Sequence, residues 1–233
     1  MNATRARRPP FARALLSFAL TACLFALLPG CTRESPPQGE AAAAAPATPH
    51  ALRAHVPSPP LVRAARRQVG VTMRYDPTYV RLAYPGGDVP PDRGVCTDVV
   101  VRALRAQGID LQAAIHRDRA AHRAAYPLPR TPLDRNIDHR RVPQQMAWFA
   151  REGWRVPIGS EARDYRAGDI VAWRLRGNGL LHIGIVSDRR DAHGVPLILH
   201  NIGAGTREES LLFDHPIIGH YRPRLGARQP ARR

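Results

Sequence analysis

The hydrophobic pattern changes character several times along the chain. Residues 14–28 are almost continuously apolar. Residues 34–60 offer little that could build a core, with Ser35-Pro36-Pro37, five alanines at 41–45, and Pro46, Pro49, Pro57, Pro59 and Pro60. After Pro90-Pro91-Asp92-Arg93-Gly94, the residues Val99, Val100, Ala103 and Leu104 recur at helical spacing, Arg102, Arg105 and Gln107 fall elsewhere, and Gly108 supplies a stop. This spacing predicts a helix with Cys96 in or near its first turn. Met146-Ala147-Trp148-Phe149 reads as an apolar helix face; of the tryptophans, Trp148 and Trp154 are candidates to wall a groove and Trp173 is expected in the core. Residues 166–175 read as a turn leading into a strand. Two further strands, 181–187 and 196–200, flank 188–194, which is rich in turn formers.

The N-terminal pattern concerns targeting. Arg5, Arg7 and Arg8 precede the apolar run, which is too short and too poorly flanked for a stable membrane span. It ends in Leu28-Pro29-Gly30-Cys31, which resembles a bacterial lipoprotein signal, although Pro29 departs from the small residue usual there. An ordinary signal peptide cleaved nearby is the alternative, and either one exports the protein. The expected organisation is a signal peptide at 1–30, lipidation at Cys31, a disordered Ala/Pro-rich tether at 31–60, one domain at 61–223 and a basic tail at 224–233. The expected location is the periplasmic face of a bacterial membrane, or a secreted or periplasmic state if Cys31 carries no lipid.

Composition refines this picture. The chain has three cysteines. With Cys31 lipidated and Cys23 removed, Cys96 remains as a thiol with no partner, and the domain must be stable on its apolar core alone. The formal charge of +16 contains no lysine. The arginines are scattered rather than forming a stripe with interleaved aromatics, so nucleic acid is not expected as a partner; anionic lipid or an acidic wall polymer is more compatible. His116, His122, His139 and His193 lack metal-ligand spacing, and neither a phosphate loop nor a dinucleotide fingerprint occurs, so no metal and no cofactor are expected.

The candidate chemistry is that of a cysteine nucleophile. A helix start offers unsatisfied N–H groups and a favourable dipole, which stabilise a thiolate and can receive an oxyanion. The competing reading is a buried cysteine acting as a small hydrophobe. If the strands at 181–187 and 196–200 form a hairpin centred near Asp191, His182 faces His200 across the ladder, with Cβ atoms about 4.5–5.5 Å apart. A register slip of two residues preserves their common face; a slip of one does not. In the favourable register His182 is the base for Cys96 and His200 holds its ring in the useful tautomer. Asp98 is a candidate to cap or polarise the helix start, and Asn201 either contacts substrate or leads a turn into Ile202-Gly203.

Tyr84-Pro85-Gly86-Gly87, Cys96, Gly168-Asp169, His182-Ile183-Gly184-Ile185 and His200, in that order, resemble the NlpC-type cell-wall peptidases of the papain-like superfamily. Thr97-Asp98 departs from the Ser-Gly usual after the cysteine, and residues 110–142 look like an insertion. The Gly-Val-Cys-Thr-Asp, Leu-His-Ile-Gly and Leu-His-Asn-Ile-Gly stretches are closer to a bacterial domain-of-unknown-function family allied to those peptidases. The resemblance implies an α+β papain-like domain, its cysteine-bearing helix packed on an antiparallel sheet. It also implies the catalytic set Cys96, His182 and His200, and a Tyr84 hydroxyl near the oxyanion. The implied substrate is the amide bond of peptidoglycan stem peptides, or another cell-envelope substrate, beside which a lipid anchor places the domain. The alternatives are another amidase, esterase or acyltransferase on the same fold, and a non-catalytic envelope-binding module.

Overall fold

A computed structural model describes residues 57–127 and 129–226. The expected signal peptide, the Cys31 lipidation site, nearly all of the tether and most of the basic tail lie outside these residues.

Helix α1 (Pro60–Arg66) starts on a proline, whose fixed φ suits the first helical position, and buries Leu61, Val62, Ala64 and Ala65. Two-residue strands β1 (Arg74–Tyr75) and β2 (Arg93–Gly94) pair in parallel, Tyr75 opposite Gly94. Helix α2 (Cys96–Arg105) follows directly. It ends before Gly108, whose φ of 83° belongs to the left-handed region that favours glycine. The stretch expected as an insertion begins with a third helix, α3 (Leu111–Ala121), capped by Asp110 Oδ1 accepting the Gln112 N–H at 3.0 Å. Its weak apolar periodicity hides it in the sequence, because it also buries polar residues: Gln112 bonds to loop carbonyls, and Arg119 pairs with Asp138 at 2.6 Å. Helix α4 (Val142–Arg151) carries the expected Met146–Phe149 face.

The five-stranded sheet runs β6-β5-β4-β3-β7, antiparallel at every step: β3 (Ile170–Arg174), β4 (Leu181–Arg190), β5 (Pro196–His200), β6 (Arg207–Glu209) and β7 (Ile217–Tyr221). The fold is therefore α+β, with helices packed on one face of an antiparallel sheet. Ile170, Ala172, Ile183, Ile185 and Leu199 meet the helices there, sharing one core with Cys96, Val99, Val100 and Leu104. Val171, Trp173, Val186 and Ile198 face the other way and are covered by Tyr165, Leu211 and Leu212. Burial on both faces explains why β3 reads as a continuous apolar run rather than an alternation.

All three tryptophans are core residues: Phe149 stacks on Trp154 with ring centroids 5.4 Å apart, Trp148 meets Trp154 edge-on, and Trp173 Nε1 donates to the Leu212 carbonyl at 2.9 Å. The β4–β5 hairpin differs from the symmetric register. Ile185 pairs with Leu199 and Val186 with Ile198, while beyond an irregularity Arg190 pairs with Pro196. His200 is thus displaced by two residues from direct opposition to His182, a shift that keeps both on one face.

Candidate active site

Val95, in extended conformation, occupies the cap position of α2 without a side-chain oxygen to offer. Asp98 supplies the missing acceptor: its Oδ2 takes the Val95 N–H at 2.7 Å. Arg140 holds Asp98 from the far side, Nε to Oδ1 and Nη2 to Oδ2, both at 2.9 Å. A Cβ on Gly94 would stand 3.0 Å from Asp98 Oδ2, so glycine keeps this approach open. Asn201 Nδ2 donates to the Gly94 carbonyl at 3.0 Å, while its Oδ1 accepts the Gly203 N–H at 3.3 Å. Asp98 and Asn201 are therefore engaged in shaping the helix start.

Cys96 occupies the first turn of α2, buried at 4 % exposure. The nearby N–H groups of Ile183, Thr97 and Cys96 favour the thiolate, but burial outweighs them and the neighbouring Asp98 charge adds to it, pushing the thiol up to about 12. The expected lowering of the thiol pKa is thus reversed. Two physical reasons account for this: desolvation opposes the anion, and a first-turn carboxylate offsets the helix dipole.

His182 and His200 meet edge to face, His182 Nε2 lying 2.9 Å from His200 Nδ1. Gly184 makes this diagonal contact possible, since a Cβ there would sit 2.7 Å from Ile198 Cγ2 and 3.1 Å from His200 Cβ. Beyond His200, Glu209 Oε1 lies 3.1 Å from Nε2 but off the N–H direction, an electrostatic contact without hydrogen-bond alignment. Burial, then the neighbouring His200, lowers the His182 pKa to about 3; burial also lowers that of His200, against the pull of Glu209. Thiol and imidazole are both neutral. Among the described residues no hydrogen bond joins them.

A cavity of about 330 Å³ opens over the thiol, lined by Tyr75, Val95, Cys96, Arg140, Val142 and Leu181 among others. Tyr84 does not line it. Its ring packs edge-on against His116, with the Arg135 guanidinium 5.6 Å from its centre. The tyrosine at the cavity is Tyr75, whose pKa is raised to about 12 by burial, then by the Cys96 and Asp98 charges. Sequence reading missed Tyr75, Arg140 and Glu209. A two-residue strand shows no periodicity, Arg140 is one arginine among many, and Glu209 becomes relevant only through the β5–β6 pairing of Ile198 with Glu209. Among the described residues no three histidines, cysteines or carboxylates come together in a way that could hold a metal ion.

Residues 62–223 match the model of a family described as a domain of unknown function, DUF1287. The Escherichia coli K12 protein YijF, described as uncharacterized, is 55% identical over 161 residues, which cover 68% of this chain and 78% of YijF. A solved Staphylococcus aureus structure, described as similar to a lipoprotein of the NLP/P60 family, is similar at a TM-score of 0.35 and 15% identity. That similarity covers 70% of this chain and 41% of the Staphylococcus protein. With the family model matching from within α1 to just past β7, the chain belongs to the DUF1287 family.

Proposed function

We propose that this protein is an exported cysteine hydrolase, anchored in the envelope through Cys31, that cleaves amide bonds of peptidoglycan stem peptides through a thioester. The observation that carries the reading is the buried histidine pair, His182 Nε2 lying 2.9 Å from His200 Nδ1, with the Glu209 carboxylate 3.1 Å from His200 Nε2. Glu209, an acceptor, stands beside His200 Nε2 and favours the proton there. His200 Nδ1 is then the acceptor, His182 Nε2 the donor, and His182 Nδ1 keeps the lone pair of a base. A structural histidine pair has no need of that order of protons; a general base does.

The reaction follows from these roles. As the Cys96 sulfur bonds to the scissile carbonyl carbon, its proton passes to His182 Nδ1, and the carbonyl electrons move onto oxygen. The Cys96 and Thr97 amides, which have no acceptor within α2, are the donors available to that oxygen. Collapse breaks the carbon–nitrogen bond, and the amine leaves with the proton from His182. Water then adds to the thioester, His182 taking its proton, and Cys96 departs as the thiol. In this mechanism Cys96 and His182 come into hydrogen-bond contact as substrate binds, as catalytic hydrogen bonds commonly tighten in the complex.

The papain-like motif order and the N-terminal signal pattern support the substrate and location. Digestion of purified peptidoglycan by the wild type and by Cys96→Ala, with products mapped by mass spectrometry, tests the proposal. Fragments released by the wild type alone are expected. Intact sacculi alongside turnover of a small amide, ester or acyl donor would move the function to another amidase, esterase or acyltransferase on this fold.

One observation favours a second reading, a non-catalytic envelope-binding module: the thiol is buried, protonated and not bonded to His182. Alkylation kinetics separate the two. A hydrolase shows a Cys96 whose reaction with iodoacetamide is enhanced by bound substrate analogue, whereas a silent module shows none at any ligand concentration.

A further inference from the structure

The cleft at Cys96 does not end at the thiol. Pro143 and Leu181, which wall the Cys96 cavity, also wall a second cavity of about 540 Å³. Such a volume falls within the roughly 300–1,000 Å³ usual for ligand sites. Met146, Ala147 and Ala150 of α4 form one side and Ile218 of β7 another, so the greater part of the wall is aliphatic.

One polar atom in this wall is buried without a partner. Tyr221 is fully buried, yet its hydroxyl has no hydrogen-bond partner. The Arg155 guanidinium stands near enough to draw the hydroxyl pKa down against the larger upward effect of burial, without hydrogen-bond geometry. Arg174 also lines the cavity and donates to the Gly179 carbonyl at 3.3 Å. Arg151, a third arginine of the wall, is bound to Asp118. Among the described residues, neither Arg155 nor Arg174 has a carboxylate partner. An aliphatic cavity with a buried hydroxyl and, at its exposed rim, two guanidinium groups without a carboxylate partner is complementary to an aliphatic chain that ends in an anion.

We infer that this second cavity binds the aliphatic, anion-terminated portion of the ligand whose reacting carbonyl lies over Cys96. The inference rests on the hydrolase reading only in treating the Cys96 cavity as the reacting end. It adds a selectivity that the thiol and histidines cannot supply: chains with a terminal carboxylate are accepted, and chains ending in an ammonium group are excluded.

Calorimetric titration of the wild-type full chain with octanoate, octylammonium and acetate tests it without any turnover. Octanoate should bind at least about tenfold more tightly than either of the others, a difference easily resolved on the affinity scale. Ala147→Trp, which fills the cavity, should abolish octanoate binding. Arg155→Gln combined with Arg174→Gln should weaken it about tenfold. Thermal unfolding of both variants shows that each is folded. No octanoate binding, as would follow if another stretch of the chain occupied the groove, overturns the inference. So does equal binding of octanoate and octylammonium, or indifference to both variants. A protein that binds octanoate but leaves peptidoglycan intact keeps this inference and loses the proposed substrate; the converse result does the reverse.

Discussion

His182 and His200 are in hydrogen-bond contact, Nε2 to Nδ1 at 2.9 Å, although they are not partners across the β4–β5 ladder; the space between them is kept by Gly184. A side chain at 184 would enter the corner formed by Ile198 and His200. Gly184→Ala is therefore expected to be overpacked, with a stability loss of about 1–3 kcal/mol. Because the added methyl displaces His200 rather than the thiol, hydrolysis should fall while the amount of alkylatable Cys96 in unfolded protein stays unchanged. A variant as stable and active as the wild type would show that the diagonal contact is not required.

Glu209 gives a second test, since it lies on the surface side of the pair and makes no ladder-breaking contact. Glu209→Gln keeps the size and removes the charge that favours a proton on His200 Nε2. The expected outcome is a fall in kcat of about tenfold or more with little change in KM, within the range attributed to positioned acid–base groups. The melting temperature should hardly move, because Glu209 is 40 % exposed. Equal kcat values would remove Glu209 from the relay.

Three buried titrating groups, His182, His139 and Cys96, predict how stability depends on pH. His182 is held near 3 and His139 near 4, both below the ordinary 6.5. As pH falls below 6.5 the unfolded chain takes up protons that the folded one refuses, so stability declines between about 6.5 and 3. Cys96 acts at the other end. Its thiol is held near 12 against an ordinary value of 9, so the unfolded chain loses a proton first and stability declines again as pH rises above about 9. Denaturant unfolding across pH should give a plateau between these limits, and Cys96→Ala should remove part of the alkaline decline. A thiol that alkylates rapidly at neutral pH without ligand would contradict this ordering.

The features legible in the sequence are those that repeat. The apolar spacing after Gly94 marks α2, and the alternation of apolar residues with turn formers marks β3, β4 and β5, with β5 bounded by Pro196 and His200 as expected. The side-chain face of His182 and His200 survives because a two-residue register change preserves parity. What could not be read is what depends on tertiary contact. The register itself is set by an irregularity near residues 187–189 that no turn motif announces. α3 is held by polar burial rather than an apolar stripe, and the ionisation of Cys96 is decided by burial, which cancels the benefit of a helix start. Tyr84, in its Pro-Gly-Gly setting, attracts attention by motif, whereas Tyr75 reaches the cavity through a strand pair too short to leave a pattern.

The Asp98–Arg140 pair, whose side chains are only 3% and 2% exposed, offers the sharpest separation of structure from chemistry. Removing one partner leaves the other charge buried, so Arg140→Met should cost about 3–5 kcal/mol by denaturant unfolding. Replacing both, as Asp98→Asn with Arg140→Met, removes both charges while an amide oxygen remains for the Val95 N–H. Most of the lost stability should then return, as happens when buried ion pairs are exchanged for neutral groups of similar volume. The same double variant should shift the pH profile of Cys96 alkylation downward, because the Asp98 charge helps to hold the thiol protonated. Arg140→Met alone should shift it upward, since an unpaired carboxylate two residues from the sulfur opposes the thiolate more strongly. Opposite shifts in two variants of the same pair cannot arise from loosening of the helix start, which would make the thiol more accessible in both.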